Sequence, residues 1–239
     1  MIPKIIHYCW FGRGPLPETA LECIKSWHKF MPDWEYILWN EDNFDVSLYP
    51  YAQEAYDAKK FAFVSDVARL YALKCFGGVY FDTDVIVYKP FDSLLNLHAF
   101  VGFEGSKYCP IGTCVIGSEQ DGKWVNKQLD CYHGRHFCLP DGSFDLTTNV
   151  VYITEKMIRE GFITNGLEQD FDSIHVFPVE YFCPRHTTGE YIRTDNTFCE
   201  HLGLGSWTET GVNWKSKLLS KMSPSLRIRV IKLKRKLFR

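Results

Sequence analysis

The segment "GGVYFDTDVIVY" places two aspartates, Asp82 and Asp84, inside a run of aromatic and β-branched residues. Aspartate is depleted from strand interiors, so two of them there need a physical reason. Side chains two residues apart on a strand share a face, which predicts that these carboxylates lie side by side. They repel each other unless a cation lies between them, and oxygen ligands suit Mg²⁺ or Mn²⁺. The pattern therefore favours a divalent-metal site, although a strand end with two solvated aspartates would look the same.

The segment before these aspartates carries a second pair of charged residues. "FVSDVARLYALKCF" has an apolar stripe at helical spacing, and Gly77 suits the position just after a helix. Asp66 and Arg69 are three residues apart and share one face of this helix. They form either an ordinary intrahelical ion pair or part of a ligand site, because ligands of α/β sheets gather outside the carboxyl ends of the strands.

The elements that must position these residues follow from hydrophobic periodicity. "IPKIIHYCWF" predicts a strand, "PETALECIKSWHKF" a helix and "WEYILWN" a second strand. Residues 54–76 predict a helix in one or two pieces, and residues 79–88 a single strand. Further strands are predicted at "AFVGFE", "TCVIGS" and "SIHVFPVEYF". Further helices are predicted at "GKWVNKQLDCYH" and "NVVYITEKMIREG", and a loop is predicted at residues 134–148. A β–α–β start predicts an α/β fold with a parallel sheet.

Composition limits the class of protein. The chain has 239 residues, 46% of them hydrophobic, which predicts one large globular domain with a sizeable core. No stretch is long and apolar enough for a transmembrane helix, and the N-terminus does not resemble a signal peptide. The nine cysteines are odd in number and include no C-x-x-C, so most are expected to be buried small residues in a reducing cytoplasm.

The charge is unevenly distributed. Residues 215–239 hold ten Lys or Arg and no Asp or Glu, which leaves a net charge of −12 on the rest of the chain. We therefore divide the chain into a catalytic domain, residues 1–214, and a basic tail, residues 215–239. "SLRIRVIKLKRKLFR" has apolar residues along one helical stripe and basic residues opposite, which predicts an amphipathic helix that binds an anionic membrane. A solvated basic end is the alternative, and nucleic acid is disfavoured because the tail lacks interleaved aromatics.

The segments "IPKIIHYCWFG", "FAFVSDVARLYALKCFGGVYFDTDVIVYKPFD" and "EHLGLGSW" resemble the glycosyltransferases of family 32. These proteins have a sugar-binding region containing a DxD motif and include capsular polysaccharide transferases and fungal mannosyltransferases. The central segment is also similar to the glucosyltransferase domain of the large clostridial toxins. The resemblance implies a GT-A-type, Rossmann-like fold in a single domain, followed here by the C-terminal amphipathic helix. It also implies a nucleotide-sugar donor and Mn²⁺ or Mg²⁺.

Site roles follow from the same resemblance. Asp84 matches the aspartate that coordinates the metal, and Asp82 the one that contacts the donor ribose and the metal or its waters. Asp66 and Arg69 match residues that hold the donor sugar, with Arg69 also near phosphate, and Tyr80 is assigned to donor binding with them. Since these groups also carry the reaction, the four charged residues are the predicted catalytic set.

Residues outside the central segment complete the predicted site. Trp10 either stacks on the donor base or is an ordinary core tryptophan. Thr148 and Asn149 either line the sugar or acceptor pocket or cap a helix. The resemblance implies that His201 is a metal ligand or diphosphate contact, and that the lid residues beyond it close over the diphosphate; these are Ser206 and Trp207. The relatives often have His-His-Trp where this chain has Glu-His-Leu.

Together these features predict a retaining, metal-dependent transferase on the cytoplasmic face of a membrane. It would move a hexose from a UDP- or GDP-sugar to a glycan acceptor, lipid-linked in capsule, lipopolysaccharide or exopolysaccharide synthesis. Three alternatives stay open: a toxin-like protein glycosyltransferase, a metal-dependent phosphoesterase, and a non-catalytic nucleotide-sugar-binding module. No carboxylate nucleophile can be assigned, and a front-face displacement needs none.

Overall fold

A computed structural model of the protein describes residues 1–105, 109–184 and 191–203. The described helices are α1 (Glu18–Phe30), α2 (Pro50–Asp57), α3 (Phe61–Phe76), α4 (Lys123–Leu129), α5 (Asn149–Arg159) and α6 (Val179–Phe182). The described strands are β1 (Ile5–Cys9), β2 (Glu35–Trp39), β3 (Gly78–Phe81), β4 (Val85–Val87), β5 (Ala99–Phe103), β6 (Ile111–Ser118), β7 (Gln169–Phe171), β8 (Ile174–Phe177) and β9 (Cys199–His201). The predicted C-terminal helix and the boundary at residue 214 lie outside these residues.

Seven strands form one mixed sheet in the order β2-β1-β3-β6-β5-β8-β7. Strands β2, β1 and β3 are parallel, as the β–α–β start predicts. Strand β6 runs antiparallel to both β3 and β5, because the short connection between β5 and β6 allows only a hairpin-like return. The prediction of an α/β, Rossmann-like fold is confirmed, with a mixed rather than wholly parallel sheet.

The sheet is buried on both faces. Helices α2, α3, α4 and α5 cover one apolar cluster, and α1 and α6 cover the other. Strand β3 contributes to both, since Tyr80 belongs to the first cluster while Val79 and Phe81 belong to the second. Alternation along this strand therefore fixes which of its side chains faces which layer of helices.

Two strand predictions are wrong. The predicted strand 79–88 ends at Phe81, and the backbone N–H of Val85 donates to the carbonyl of Asp82 at 3.0 Å, which closes a turn. Strand β4 then leaves the main sheet and pairs with β9 in a second, two-stranded sheet. The DxD aspartates therefore occupy a turn, where Asp is favoured, and not a strand face. The predicted strand 173–182 likewise stops at Phe177, because Pro178 starts α6.

Helix α3 delivers the chain into β3 through two glycines. Gly77 ends the helix with a φ of 64°, and its N–H donates to the carbonyl of Leu73 at 2.8 Å, as predicted for this position. A Cβ atom at Gly77 would lie 2.6 Å from the backbone nitrogen of Gln120, so a larger residue would displace the entry to β3.

His7 is a core histidine: its Nε2 lies 2.7 Å from the Gly77 carbonyl, and burial lowers its pKa to about 4.

Candidate active site

The predicted site residues that the structure describes line one cavity of about 720 Å³. They come from six places in the fold: the end of β1, helix α3, strand β3, the DxD turn, the start of α5 and the end of β9. They are Trp10, Asp66, Arg69, Tyr80, Asp82, Asp84, Thr148, Asn149 and His201. The predicted lid residues Ser206 and Trp207 lie outside the described residues.

Arg69 is the centre of the charged cluster. Its Nη2 atom lies 3.0 Å from Oδ1 of Asp66, and its Nη1 atom lies 3.3 Å from Oδ1 of Asp82. Nη1 also donates to the carbonyl of Thr113 at 2.8 Å, and Nε donates to the carbonyl of Ser65 at 3.1 Å. The Asp66–Arg69 pair is thus an intrahelical pair, as one prediction held, but it is buried, with side chains only 10% and 6% exposed.

Tyr80 lies at the cavity wall and holds Asp82, the first aspartate of the DxD turn. Its hydroxyl donates to Oδ1 of Asp82 at 2.8 Å, and its ring lies 4.6 Å from the guanidinium carbon of Arg69. Tyr80 is only 2% exposed. A buried phenol and a buried guanidinium therefore both hold Oδ1 of Asp82, which limits the positions that this carboxylate can adopt.

His201 faces the two DxD carboxylates. Strand β9 pairs antiparallel with β4 so that His201 is opposite Val85, and the N–H of Leu202 donates to the carbonyl of Asp84 at 3.0 Å. The Nε2 atom of His201 is 3.2 Å from Oδ1 of Asp84 and 3.9 Å from Oδ2 of Asp82. Burial opposes the charged imidazole, but Cys114 and the Asp84 carboxylate outweigh it and raise the pKa of His201 well above its ordinary value.

The same three residues fit a divalent cation. Single ligand atoms of Asp82, Asp84 and His201 all lie within 4.8 Å of one another. Two carboxylates and one imidazole form a mostly oxygen donor set with a nitrogen, which suits Mn²⁺ and is less typical of Mg²⁺. A bound cation would neutralise the negative charge of the two carboxylates.

Asp66 sits where α3 meets the first turn of α5. Burial raises the pKa of Asp66 to about 6, and Asp82 adds to the rise, while Arg69 and the backbone N–H of Asn149 oppose it. The Oγ1 atom of Thr148 accepts the Val151 N–H at 3.5 Å, so Thr148 is the N-cap residue of α5. Capping was one of the two interpretations given for Thr148 and is confirmed; Thr148 also lines the cavity.

Asn149 has one polar atom that the protein does not satisfy. Its Oδ1 accepts a hydrogen bond from the Thr113 hydroxyl at 2.8 Å. Its Nδ2 is buried and has no hydrogen-bond partner in the part of the chain that the structure describes. Because Asn149 lines the cavity and is 3% exposed, its amide is a donor suited to a polar group of a ligand.

Trp10 lies just beyond the end of β1 and is half-buried at the cavity. Its Nε1 donates to the carbonyl of Gly14 at 2.7 Å, which holds the indole in place. A partly exposed ring on a cavity wall differs from an ordinary core tryptophan and leaves surface on which a flat base can stack.

Glu104 is a cavity residue that sequence reasoning missed. It follows β5, and its backbone N–H donates to the carbonyl of Pro110 at 2.8 Å. Burial raises the pKa of Glu104, His201 opposes the rise, and Asp82 adds to it. Among the described residues, its carboxyl group has no hydrogen-bond or ion-pair partner. Its place at the end of a predicted strand was the available signal, since ligands gather at such ends.

Residues 17–101 match the model of a family described as "Glycosyltransferase sugar-binding region containing DXD motif". Inositol phosphoceramide mannosyltransferase 3 of Schizosaccharomyces pombe is 36% identical over 104 residues, covering 42% of this chain and 29% of that protein. Mannosyl phosphorylinositol ceramide synthase SUR1 of Saccharomyces cerevisiae is 32% identical over 124 residues, covering 49% and 31% respectively. The chain therefore spans about a third of the length of these relatives.

Among solved structures, PaToxG glycosyltransferase is similar at 20% identity and a TM-score of 0.47, covering 67% of this chain and 69% of that chain. The family match runs from α1 to the start of β5 and includes both DxD aspartates. The resemblance to the glycosyltransferases of family 32 is thus confirmed over residues 17–101, which match the model of the sugar-binding region containing the DXD motif.

Proposed function

We propose that this chain is a metal-dependent, retaining glycosyltransferase that moves a hexose from a UDP- or GDP-sugar to a glycan acceptor. The observation that carries the proposal is the cluster of Arg69, two DxD carboxylates and His201 on one wall of a cavity of about 720 Å³. A cavity of this size accommodates a nucleotide-sugar, and it combines apolar surface with a few convergent polar groups.

The metal ligands in this proposal are Asp82, Asp84 and His201. A Mn²⁺ or Mg²⁺ ion bound there would neutralise charge that develops on the leaving nucleoside diphosphate. The donor set supports Mn²⁺ over Mg²⁺ because imidazole is a softer ligand than oxygen.

Donor recognition uses the chain's own polar groups. We assign Trp10 to the base by stacking, and Asp66 and the Nδ2 atom of Asn149 to hydroxyl groups of the donor sugar. Asp66 accepts and Asn149 donates, so the two together distinguish a sugar from an apolar group. Arg69 is mainly a positioning residue, because its five N–H groups already serve four protein acceptors and at most one remains for phosphate.

The acceptor is proposed to bind near Glu104. A carboxyl group in the cavity that no described residue holds is available to hydrogen-bond an acceptor hydroxyl. The relatives include an inositol phosphoceramide mannosyltransferase and a mannosyl phosphorylinositol ceramide synthase, which supports mannose as the sugar and a phosphoinositol lipid as acceptor. The lipid-linked intermediates of capsule, lipopolysaccharide or exopolysaccharide assembly are the other acceptors that this proposal includes.

Docking at the cytoplasmic face of a membrane belongs to the same proposal. Within the described residues, no helix has both the length and the apolar character needed to cross a bilayer. The ten basic residues of 215–239 support attachment through anionic lipid instead.

The first experiment is a screen of UDP- and GDP-sugars, GDP-mannose among them, for hydrolysis by the full chain with Mn²⁺. Release of free sugar and intact nucleoside diphosphate supports a transferase, because water then replaces the acceptor. Breakdown of the diphosphate itself would indicate the phosphoesterase, and binding without any turnover would indicate a non-catalytic module.

Glu104→Gln tests the acceptor assignment, with inositol phosphoceramide in detergent as the acceptor. Transfer should fall roughly tenfold while donor hydrolysis by water stays near that of the native enzyme, because a neutral amide oxygen is a weaker hydrogen-bond acceptor than a carboxylate. Glu119→Gln is the matched control, since Glu119 directly follows β6, pairs with the N-terminal amine and does not line the cavity. An equal loss of hydrolysis and transfer would place Glu104 at the donor and contradict the assignment.

A further inference from the structure

Two buried thiols and one imidazole converge beside the DxD carboxylates. Cys114 lies in β6, Cys183 follows α6, and His201 ends β9. The two sulfur atoms are 3.3 Å apart, and these atoms and an imidazole nitrogen all lie within 4.8 Å of one another. Cys114 and His201 line the cavity, so an ion can reach them from solvent.

The fold brings the three residues together from distant parts of the sequence. The backbone N–H of Asp82 donates to the carbonyl of Cys114 at 2.9 Å, which fixes this part of β6 beside the DxD turn. Both cysteines are only 4% exposed, and an imidazole nitrogen of His201 lies within 4.8 Å of both sulfur atoms. A single buried cysteine such as Cys23 is explained as a small apolar residue. Two thiols in contact with each other and with a histidine at a cavity wall have the composition of a soft-metal site.

We propose that Cys114, Cys183 and His201 form a binding site for a thiophilic divalent cation of the Zn²⁺ class. Two cysteines and one histidine with a fourth position open to a cavity are a recognised zinc ligand set. Sulfur ligands at about 2.3 Å in a tetrahedron are about 3.8 Å apart, so the thiols need to separate by about 0.5 Å. Each thiol that binds releases its proton to solvent.

Metal binding by the thiols would also affect the neighbouring ligand set of Asp82, Asp84 and His201. The Nε2 atom of His201 lies 3.2 Å from Asp84, so the same imidazole belongs to both ligand sets. A cation held by the thiols takes this imidazole away from the carboxylates. Zn²⁺ should therefore weaken Mn²⁺ binding, and the soft ligands should keep Zn²⁺ bound against an excess of Mn²⁺. This inference stands apart from the proposed glycosyl transfer, because it needs neither donor nor turnover.

The test is a titration of the full chain with Co²⁺, a coloured substitute for Zn²⁺, under reducing conditions. The native protein should give a thiolate-to-cobalt charge-transfer band that Zn²⁺ abolishes and Mn²⁺ does not. Cys183→Ser and Cys183→Ala should both lose at least half of the band, because only the Cys114 thiolate remains. Cys23→Ser, which removes a buried thiol of the same core, should keep the full band. Circular dichroism of each variant establishes that it is folded. If one of the two replacements at residue 183 prevents folding, the other still provides the test.

Asp84→Asn separates this inference from the proposed function. The variant should lose Mn²⁺ binding and keep the thiolate band, because the cobalt ligands remain. A native protein that binds Co²⁺ without a thiolate band, or a folded Cys183→Ala variant that keeps the band at its full native intensity, would overturn the soft-metal site. Loss of the band in a folded Asp84→Asn variant would mean that Asp84 also holds the cobalt ion, which would overturn a site made of the two thiols and the imidazole alone. Failure of sugar hydrolysis with an intact band would overturn only the proposed transferase.

Discussion

Replacing Arg69 by lysine keeps the positive charge and removes the planar, forked guanidinium. In the native structure this group serves Asp66, Asp82, the carbonyl of Thr113 and the carbonyl of Ser65, and it stacks on a tyrosine ring. A lysine ammonium is a compact point charge on a flexible stem and cannot reach all four acceptors at once. We therefore expect Arg69→Lys to lose most turnover although the net charge of the site is unchanged.

The expected magnitude follows from the acceptors that lysine leaves behind. Each buried acceptor without a donor costs about 1–3 kcal/mol, so two of them predict a loss of about 2–6 kcal/mol in the free energy of unfolding. A shift of the DxD carboxylates by about 1 Å can lower turnover by about 10²-fold. Urea unfolding measures the first quantity, and Mn²⁺-dependent hydrolysis of the sugar donor, corrected for the folded fraction, measures the second.

Arg135→Lys is the matched control. Arg135 is also largely buried, with Nη2 2.6 Å from Oδ2 of Asp145 and its guanidinium against the Tyr51 and Tyr152 rings, but it does not line the cavity. It should lose stability and keep its turnover per folded molecule. If the folded Arg69→Lys enzyme hydrolyses the donor at close to the native rate, Arg69 does not position the site and the reasoning is refuted.

Asp84→Asn should abolish Mn²⁺-dependent binding of nucleoside diphosphate and leave the fold intact, because an amide is a poor replacement for an anionic ligand; unchanged affinity by calorimetry would remove Asp84 from the metal site. Asp66 has a folded-state pKa of about 6, above its ordinary value, so the folded protein holds this proton more tightly than the unfolded chain. This contribution to stability is complete only below the ordinary aspartate pKa of 3.8 and is lost as the pH rises through about 6. Urea unfolding should show native protein losing up to about 3 kcal/mol relative to Asp66→Asn between pH 3 and pH 7, and parallel curves would contradict this. Deleting residues 222–239 should release the chain from anionic vesicles, since each basic residue contributes about 1 kcal/mol at such a surface, and salt should weaken the attachment of the full chain. Equal co-sedimentation of full-length and truncated chains would assign the tail another role.

The amino-acid sequence by itself predicted the elements that local patterns specify. Alternating and helical periodicities predicted β1, α1 and β2, and Gly77 marked the end of α3. Chain neighbours decide these features, because hydrophobic spacing and glycine conformation act within a few residues. The motif around Asp66, Arg69 and the DxD aspartates also identified the residues that meet at the cavity.

The sequence could not predict where the DxD strand ends. Residues 79–88 have the composition of one strand, yet the chain turns after Phe81 and places β4 in a different sheet. The turn exists because β4 pairs with β9, whose residues are more than a hundred positions further along the chain. Register between such distant segments depends on packing and not on local propensity.

Tertiary structure also decided the chemical environment of the charged groups. Only the packing of α3 against β3 and β6 makes Asp66–Arg69 a buried pair joined to Asp82 and not a surface pair. Only the same assembly brings Glu104 to the cavity and the two thiols to His201. Burial and nearby charges determine pKa values, and the distances between side chains determine which residues can bind one metal ion. These quantities depend on residues that are far apart in the sequence, so only the folded chain fixes them.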